Sequence, residues 1–102
     1  WLLVSPDQLD HTYYDTRQSP GYCPGTDIDD PDLERFPLLE KVRYRTATVA
    51  PGELIWFPSM WMHQVLSLDA TISLTHNYLT ASNIPRFMST WIATRIFGKQ
   101  GV

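Results

Sequence analysis

The run PGELIWFPSMWMHQVLSLDATISLTHNY, Pro51 to Tyr78, decides the reading of this chain. Pro51-Gly52 supplies the two central residues of a type II turn. Leu54–Phe57 then reads as a short apolar strand, closed by Pro58-Ser59. A further strand starts at Trp61 or Met62 and runs to Ser67, with His63 just past the proline-marked corner. Leu68-Asp69-Ala70 makes a tight connection to a last strand, Thr71–Leu79, whose alternate residues are Thr71, Ser73, Thr75 and Asn77. Side chains alternate across a strand, so those four share one face. A sheet that only needed a core would not place polar groups there beside a histidine; a metal-and-cosubstrate pocket would.

The pattern continues upstream. Val42 to Val49 sets Val42, Tyr44, Thr46 and Thr48 against Arg43, Arg45, Ala47 and Val49, and its β-branched and aromatic residues favour a strand. Trp1–Val4 is another strand, ended by Ser5-Pro6, where Ser5 suits the N-cap and Pro6 the first position of one helical turn. Asp10 to Pro37 has no sustained periodicity and is broken by Pro20-Gly21, Pro24-Gly25 and Asp30-Pro31, the profile of a long functional loop such as a lid. Its acids, Asp27, Asp29, Asp30, Asp32 and Glu34, are either a solvated loop or a substrate contact. A short helix is expected from Asp30-Pro31 through Arg35. Beyond Ser82 the period changes. Ile84, Phe87, Met88, Trp91, Ile92 and Ile96 recur at three and four residues, the stripe of an amphipathic helix over 82–98. Ser82 or Asn83 can cap it, Pro85 suits its first turn and Gly98 ends it. The stripe packs either on the sheet or on a second copy of the chain in a homodimer.

Length and composition bound the rest. At 102 residues there is room for one domain, 43% apolar and 13% aromatic. The chain starts at Trp1, already inside a strand, so a piece of a longer protein is expected. A net charge of −3 offers no basic field for nucleic acid or an anionic membrane in this segment. The lone Cys23 has no intrachain partner and no paired base, which points toward an intracellular setting, cytoplasmic or nuclear, and away from a nucleophile. No apolar stretch approaches the about 18 residues that span a bilayer.

His63 has two readings from the residues alone: a hydrogen-bonded structural histidine or a metal ligand. The polar row likewise lines a pocket or faces solvent. Trp56 and Trp61 are core residues or a cleft wall, and Tyr13 and Tyr14 are loop residues or substrate contacts. His11 lies in the loop and His76 on the opposite parity from Thr75, so both read as structural or surface histidines.

The spacing resembles a known family. Gly52, five residues, Pro58, four residues, His63 is similar to the second motif of cupin barrels in its Gly, Pro and His; the chain departs at Met60, where that pattern has Gly, and at Ser67, where it has Asn. The wider run, with Pro-Gly-Glu-Leu, Phe-Pro-Ser, Trp-x-His-Gln-Val and Ile-Ser-x-x-His-Asn, resembles the distal half of the JmjC branch, the iron(II)- and 2-oxoglutarate-dependent oxygenases. Trp1-Leu2-Leu3 with Ser5-Pro6-Asp7-Gln8, and Asp30 to Pro37, are similar to the same branch and its hydroxylase-type members.

The resemblance implies a mostly β fold: residues 1–102 as the C-terminal portion of one double-stranded β-helix (jelly-roll, cupin-like) domain, with barrel strands and the long loop over 1–80 and the helix after them. It implies iron(II) held by two histidines and a carboxylate, with open positions for 2-oxoglutarate and O₂. His63 would be the distal metal ligand, Thr75 the hydroxyl on the 2-oxoglutarate carboxylate, and Asn77 its neighbour on the same face. It further implies a dioxygenase that is a hydroxylase or demethylase, with protein side chains as the favoured substrate and a protein or peptide as partner. No His-x-Asp or His-x-Glu occurs in these residues, and the family's 2-oxoglutarate lysine would fall two residues before Trp1. The segment alone is therefore expected to be inactive. Two other readings stay open: a non-catalytic cupin-fold binding or scaffold module, and a cupin-type sugar isomerase, which needs an upstream His-x-His.

Overall fold

The computed structural model describes residues 1–14 and 25–97. Cys23, most of the proline-broken part of the long loop, and Gly98 lie outside them.

Among the described residues, three short strands form one antiparallel sheet: β1 (Leu2–Val4), β2 (Arg45–Thr46) and β3 (Met62–Gln64), in the order β2-β1-β3. Leu-Leu-Val gives β1 its apolar extended character, and Ser5-Pro6 ends it because proline donates no ladder hydrogen bond. The register sets Leu3 opposite both Arg45 and His63, and Leu2 opposite Thr46 and Gln64; Val4 faces Met62. Pairing continues one step past β2. The Trp1 backbone nitrogen donates to the Ala47 carbonyl at 2.9 Å, and Ala47 N–H donates to the Trp1 carbonyl at 2.9 Å. The strand expected over Val42–Val49 is thus present only in its middle, because β1 is too short to pair with the rest.

The turn after β1 forms as the Ser-Pro signal requires, as a 3₁₀ helix over Pro6–His11. The Ser5 hydroxyl does not cap a backbone N–H; it accepts from the Gln8 amide at 2.9 Å. Gln8 also acts as a one-residue strand, its Nε2 donating to the Arg43 carbonyl at 2.8 Å while its Oε1 accepts from Arg43 N–H. That pairing satisfies the backbone just before β2, where the ladder has stopped. A second 3₁₀ helix, Pro37–Lys41, packs on the first and buries Leu39. Between them, where a short helix was expected from Asp30 through Arg35, there is a single turn, Asp32 to Phe36, closed by Phe36 N–H on the Asp32 carbonyl at 2.7 Å. Val4 and Leu39 are the buried apolar side chains among the described residues. Thr12 is buried with them, donating to the Leu9 carbonyl at 2.7 Å and lying 3.2 Å from the Met62 sulfur.

Pro51-Gly52 forms the expected turn. Glu53 N–H donates to the Ala50 carbonyl at 3.0 Å, and Gly52 has φ +83, the positive value that the third residue of a type II turn needs. The Glu53 carboxylate closes the turn from outside by accepting from Ala50 N–H at 2.8 Å.

Leu54–Phe57 and Thr71–Leu79 take no place in the sheet. Leu54 is 86% exposed, Trp56 70% and Ile72 fully exposed. The expected alternation is there in the sequence, but a strand exists only against a partner strand, and none among the described residues reaches these segments. The sheet therefore fits a mostly β cupin-type fold without itself tracing a double-stranded β-helix.

The last element is the helix α1 (Ile84–Phe97). Asn83 begins it, since its carbonyl accepts from Phe87 N–H at 2.9 Å. The Asn83 side chain turns back toward the preceding loop, accepting from Thr80 N–H at 2.8 Å and donating to the Tyr78 carbonyl at 3.0 Å. The expected stripe lies on one side of α1, with Ile84, Phe87, Met88, Trp91, Ile92 and Ile96 all exposed.

Candidate metal and cosubstrate site

His63 occupies the middle of β3, directly opposite Leu3 of β1. Opposed residues of an antiparallel pair share a face, so His63, Leu3, Trp1 and Arg45 lie on the same side of the sheet. Two aromatic rings hold the imidazole there. The Trp1 ring stacks on it with centroids 5.7 Å apart and planes at 28°, and the Phe57 ring lies 5.0 Å away at 46°. Trp1 and Phe57 touch each other at 5.9 Å, so the three rings form one cluster with His63 at its exposed edge.

The corner before β3 explains this placement. Met60, three residues before His63, has φ +69. That is the position where the cupin motif carries glycine, and the backbone takes the left-handed conformation that glycine adopts freely even though methionine stands there. The corner leads directly into β3, whose register sets His63 opposite Leu3.

On the opposite face of β3, Gln64 ties down the acidic loop. Its Nε2 donates to the Asp27 carboxylate at 2.8 Å, and its Oε1 accepts from Ile28 N–H at 2.9 Å. The same carboxylate accepts from Asp29 N–H at 2.9 Å and Asp30 N–H at 3.2 Å. The Gln64 hydrogen bond, then those of the Asp30 and Asp29 backbones, hold the Asp27 carboxyl below its usual value. Spacing alone gives no hint of this clamp, since its partners are far apart in sequence.

Thr75 and Asn77 lie in the exposed segment outside the sheet, and among the described residues no hydrogen bond joins either to His63. Thr71 bonds locally, donating to the Asp69 carbonyl at 2.9 Å. The His76 ring lies 6.4 Å from that of Tyr78 in the same exposed segment. His11 has a buried Nδ1 with no hydrogen-bond partner among the described residues. The Tyr13 hydroxyl accepts from Leu38 N–H at 3.1 Å and its ring meets Phe36 edge-on at 5.1 Å. Among the described residues no group of three His, Cys, Asp or Glu side chains is placed to hold a metal ion. One imidazole is one donor of the several that an iron centre needs, so these residues do not fit iron by themselves.

The matching family model, the Cupin-like domain, covers residues 1–84 and so takes in the sheet, the His63 corner and the exposed polar run. The chain belongs to the cupin-like family, in its JmjC branch. It is 36% identical to the arginine-specific demethylase JMJ20 of Arabidopsis thaliana over 82% of its own length and 18% of that protein's. With the 2-oxoglutarate and iron-dependent oxygenase JMJD4 of Mus musculus it shares 35% identity over 83% of its length and 20% of the relative's. With tRNA wybutosine-synthesizing protein 5 of Gallus gallus the figures are 29%, 72% and 22%. The chain thus spans about a fifth of the length of these curated relatives. No solved structure matches it. Such relatives support an oxygenase-type function at the level of the JmjC family, and through JMJD4 they imply iron(II) and 2-oxoglutarate for that family. Among the described residues no helix is long and apolar enough to cross a membrane.

Proposed function

We propose that this chain supplies the distal iron-ligand histidine, His63, and two residues of the 2-oxoglutarate pocket, Thr75 and Asn77, to an iron(II)- and 2-oxoglutarate-dependent oxygenase that hydroxylates protein side chains. The observation that carries the proposal is the register of β3, which puts His63 opposite Leu3 on one defined face, with the left-handed corner at Met60 holding it there. β3 is an edge strand of this sheet. A His-x-Asp or His-x-Glu strand added along that edge would aim both of its donors to the His63 face, since residues two apart share a side. The remaining donors then come from residues other than those described. The run Asp30 to Pro37, similar to hydroxylase-type JmjC members, supports hydroxylation over demethylation, with a protein or peptide as substrate.

The test is succinate release by the full-length protein, wild type against His63→Ala. Loss of turnover is expected, and equal turnover removes His63 from the reaction. Thr75→Val is expected to weaken 2-oxoglutarate binding by about 1–3 kcal/mol, the cost of leaving a buried acceptor without its donor. The rival reading, a binding or scaffold module without catalysis, is favoured by Ser67 in place of the motif's Asn. Met60 lends it no support, because the backbone there keeps the glycine-like conformation. Iron-independent binding of a peptide with no succinate release would establish the rival.

A further inference from the structure

The face that carries His63 continues across the sheet into a groove of about 260 Å³, lined by Leu3, Ser5, Gln8, Arg43, Arg45 and Trp61 among others. Its size suits one side chain rather than a drug-sized molecule. Arg45 is opposite Leu3, which is opposite His63, so the two functional positions stand one strand apart on either side of β1, with backbones roughly 10 Å apart. Arg43 shares the parity of Arg45, and its main chain is fixed by the Gln8 amide. Both arginines are exposed, and among the described residues neither guanidinium has a hydrogen-bond or ion-pair partner. Two guanidiniums without a partner among the described residues, beside a half-buried Trp61, form a local cationic spot on a chain of net charge −3. With the chain as a whole at −3, two guanidiniums suit a single small anion rather than a polyanion. A guanidinium fork matches a carboxylate in two parallel hydrogen bonds.

We propose that this groove is a carboxylate-binding subsite that takes an acidic side chain of a peptide substrate. The proposal rests on the reading of the His63 face as the reactive face, and it names which substrates that face accepts. Gln8 and Ser5 form the polar wall, Leu3 and Trp61 the apolar one, and the arginines grip the carboxylate.

The experiment measures equilibrium binding to the full-length protein by fluorescence anisotropy. The probes are a labelled glutamate-containing peptide and the same peptide with glutamine. The glutamate peptide should bind about 10- to 100-fold more tightly, as for a hydrogen-bonded charge pair. Arg45→Gln and Arg43→Gln should each remove most of that preference, and Arg45→Lys, which keeps charge but loses the fork, should remove part of it. His63→Ala should leave the preference intact, so loss of turnover in that variant tests the oxygenase reading separately. Equal affinity for the two peptides, or an unchanged preference in both glutamine variants, overturns the proposal. Free glutarate competing at the concentration where the peptide does assigns the groove to small dicarboxylates and overturns its peptide part.

Discussion

Replacing Met60 by glycine and, in a separate variant, by alanine isolates the conformational cost of the corner that positions His63. Met60 has φ +69 and is half-buried. Both replacements delete the same thioether, so its lost packing cancels in the comparison. They differ in Cβ, which at this φ crowds the neighbouring carbonyl by about 1–2 kcal/mol. Glycine gives back about 0.4–1 kcal/mol through the larger freedom of its unfolded chain. The glycine variant should therefore be the more stable of the two by about 0.5–1 kcal/mol. At an ordinary helix or strand position the order is reversed, with alanine ahead by about 0.5–1 kcal/mol. The sign is thus the diagnostic quantity. Urea midpoints of the two variants in the full-length protein measure it, with unchanged m-values as the check that only stability has moved. An alanine variant as stable as the glycine variant, or more so, refutes the left-handed corner. The explanation of how His63 keeps its face without the motif's glycine would go with it, because a one-residue slip of β3 sends every side chain to the opposite side.

Three further outcomes follow from the geometry. Gly52→Ala should destabilise by about 1 kcal/mol although, apart from its chain neighbours, nothing among the described residues lies within 4 Å of the added methyl group, because the cost comes from φ +83 alone; Gly52→Asn should recover part of it, and thermal melts report both. Gln8→Ala should cost about 1 kcal/mol by freeing the Arg43 backbone pair, with faster amide exchange at Arg43 as the local signature. For Asp27 the sign runs from its lowered pKa: the clamp to Gln64 is at full strength above the ordinary aspartate value of 3.8 and is lost as pH falls through the lower folded value. A pH titration of the Gln64 side-chain amide by NMR should show that release in the wild type and lack it in Asp27→Ala.

The parts of this structure that were legible in the sequence are those set by local chemistry. Ser5-Pro6 ends β1 and starts a 3₁₀ turn, Pro51-Gly52 makes a type II turn, and the three-four spacing from Ile84 makes a helix. His63 lies on the strand expected just after the proline corner, though that strand ends at Gln64 and not at Ser67. The segments Leu54–Phe57 and Thr71–Leu79 went differently because alternation states which residues share a side, not whether a partner strand is present. The glutamine clamps were invisible for another reason. Gln8 meets Arg43 across 35 positions and Gln64 meets Asp27 across 37, and no periodicity encodes contacts at that range. Met60 is intermediate. The motif marked it as a departure, but only the backbone shows that the methionine there takes the left-handed φ that glycine adopts freely.

The two halves of the candidate site differ physically. A compact protein of 11.8 kDa exposes roughly 5,900 Å², whereas this chain exposes 8721 Å². Its radius of gyration of 15.4 Å likewise exceeds the roughly 13 Å of a compact domain of this length. Much of the uncovered apolar surface lies on Leu54 to Leu79 and on α1. The residues that place His63 belong to the hydrogen-bonded sheet and its ring cluster, and Thr75 and Asn77 belong to the uncovered part. Amide exchange should therefore split the site in this chain. The paired amides of Leu2–Val4 and Met62–Gln64 should be slow, and those of residues 71–79, with neither edge nor face covered, should exchange at nearly the rate of an unfolded peptide. In the full-length protein residues 71–79 should become protected if Thr75 and Asn77 serve the proposed 2-oxoglutarate pocket, since that role puts them on a paired strand. Unprotected amides there in an active full-length enzyme would remove Thr75 and Asn77 from the site and leave His63 in it.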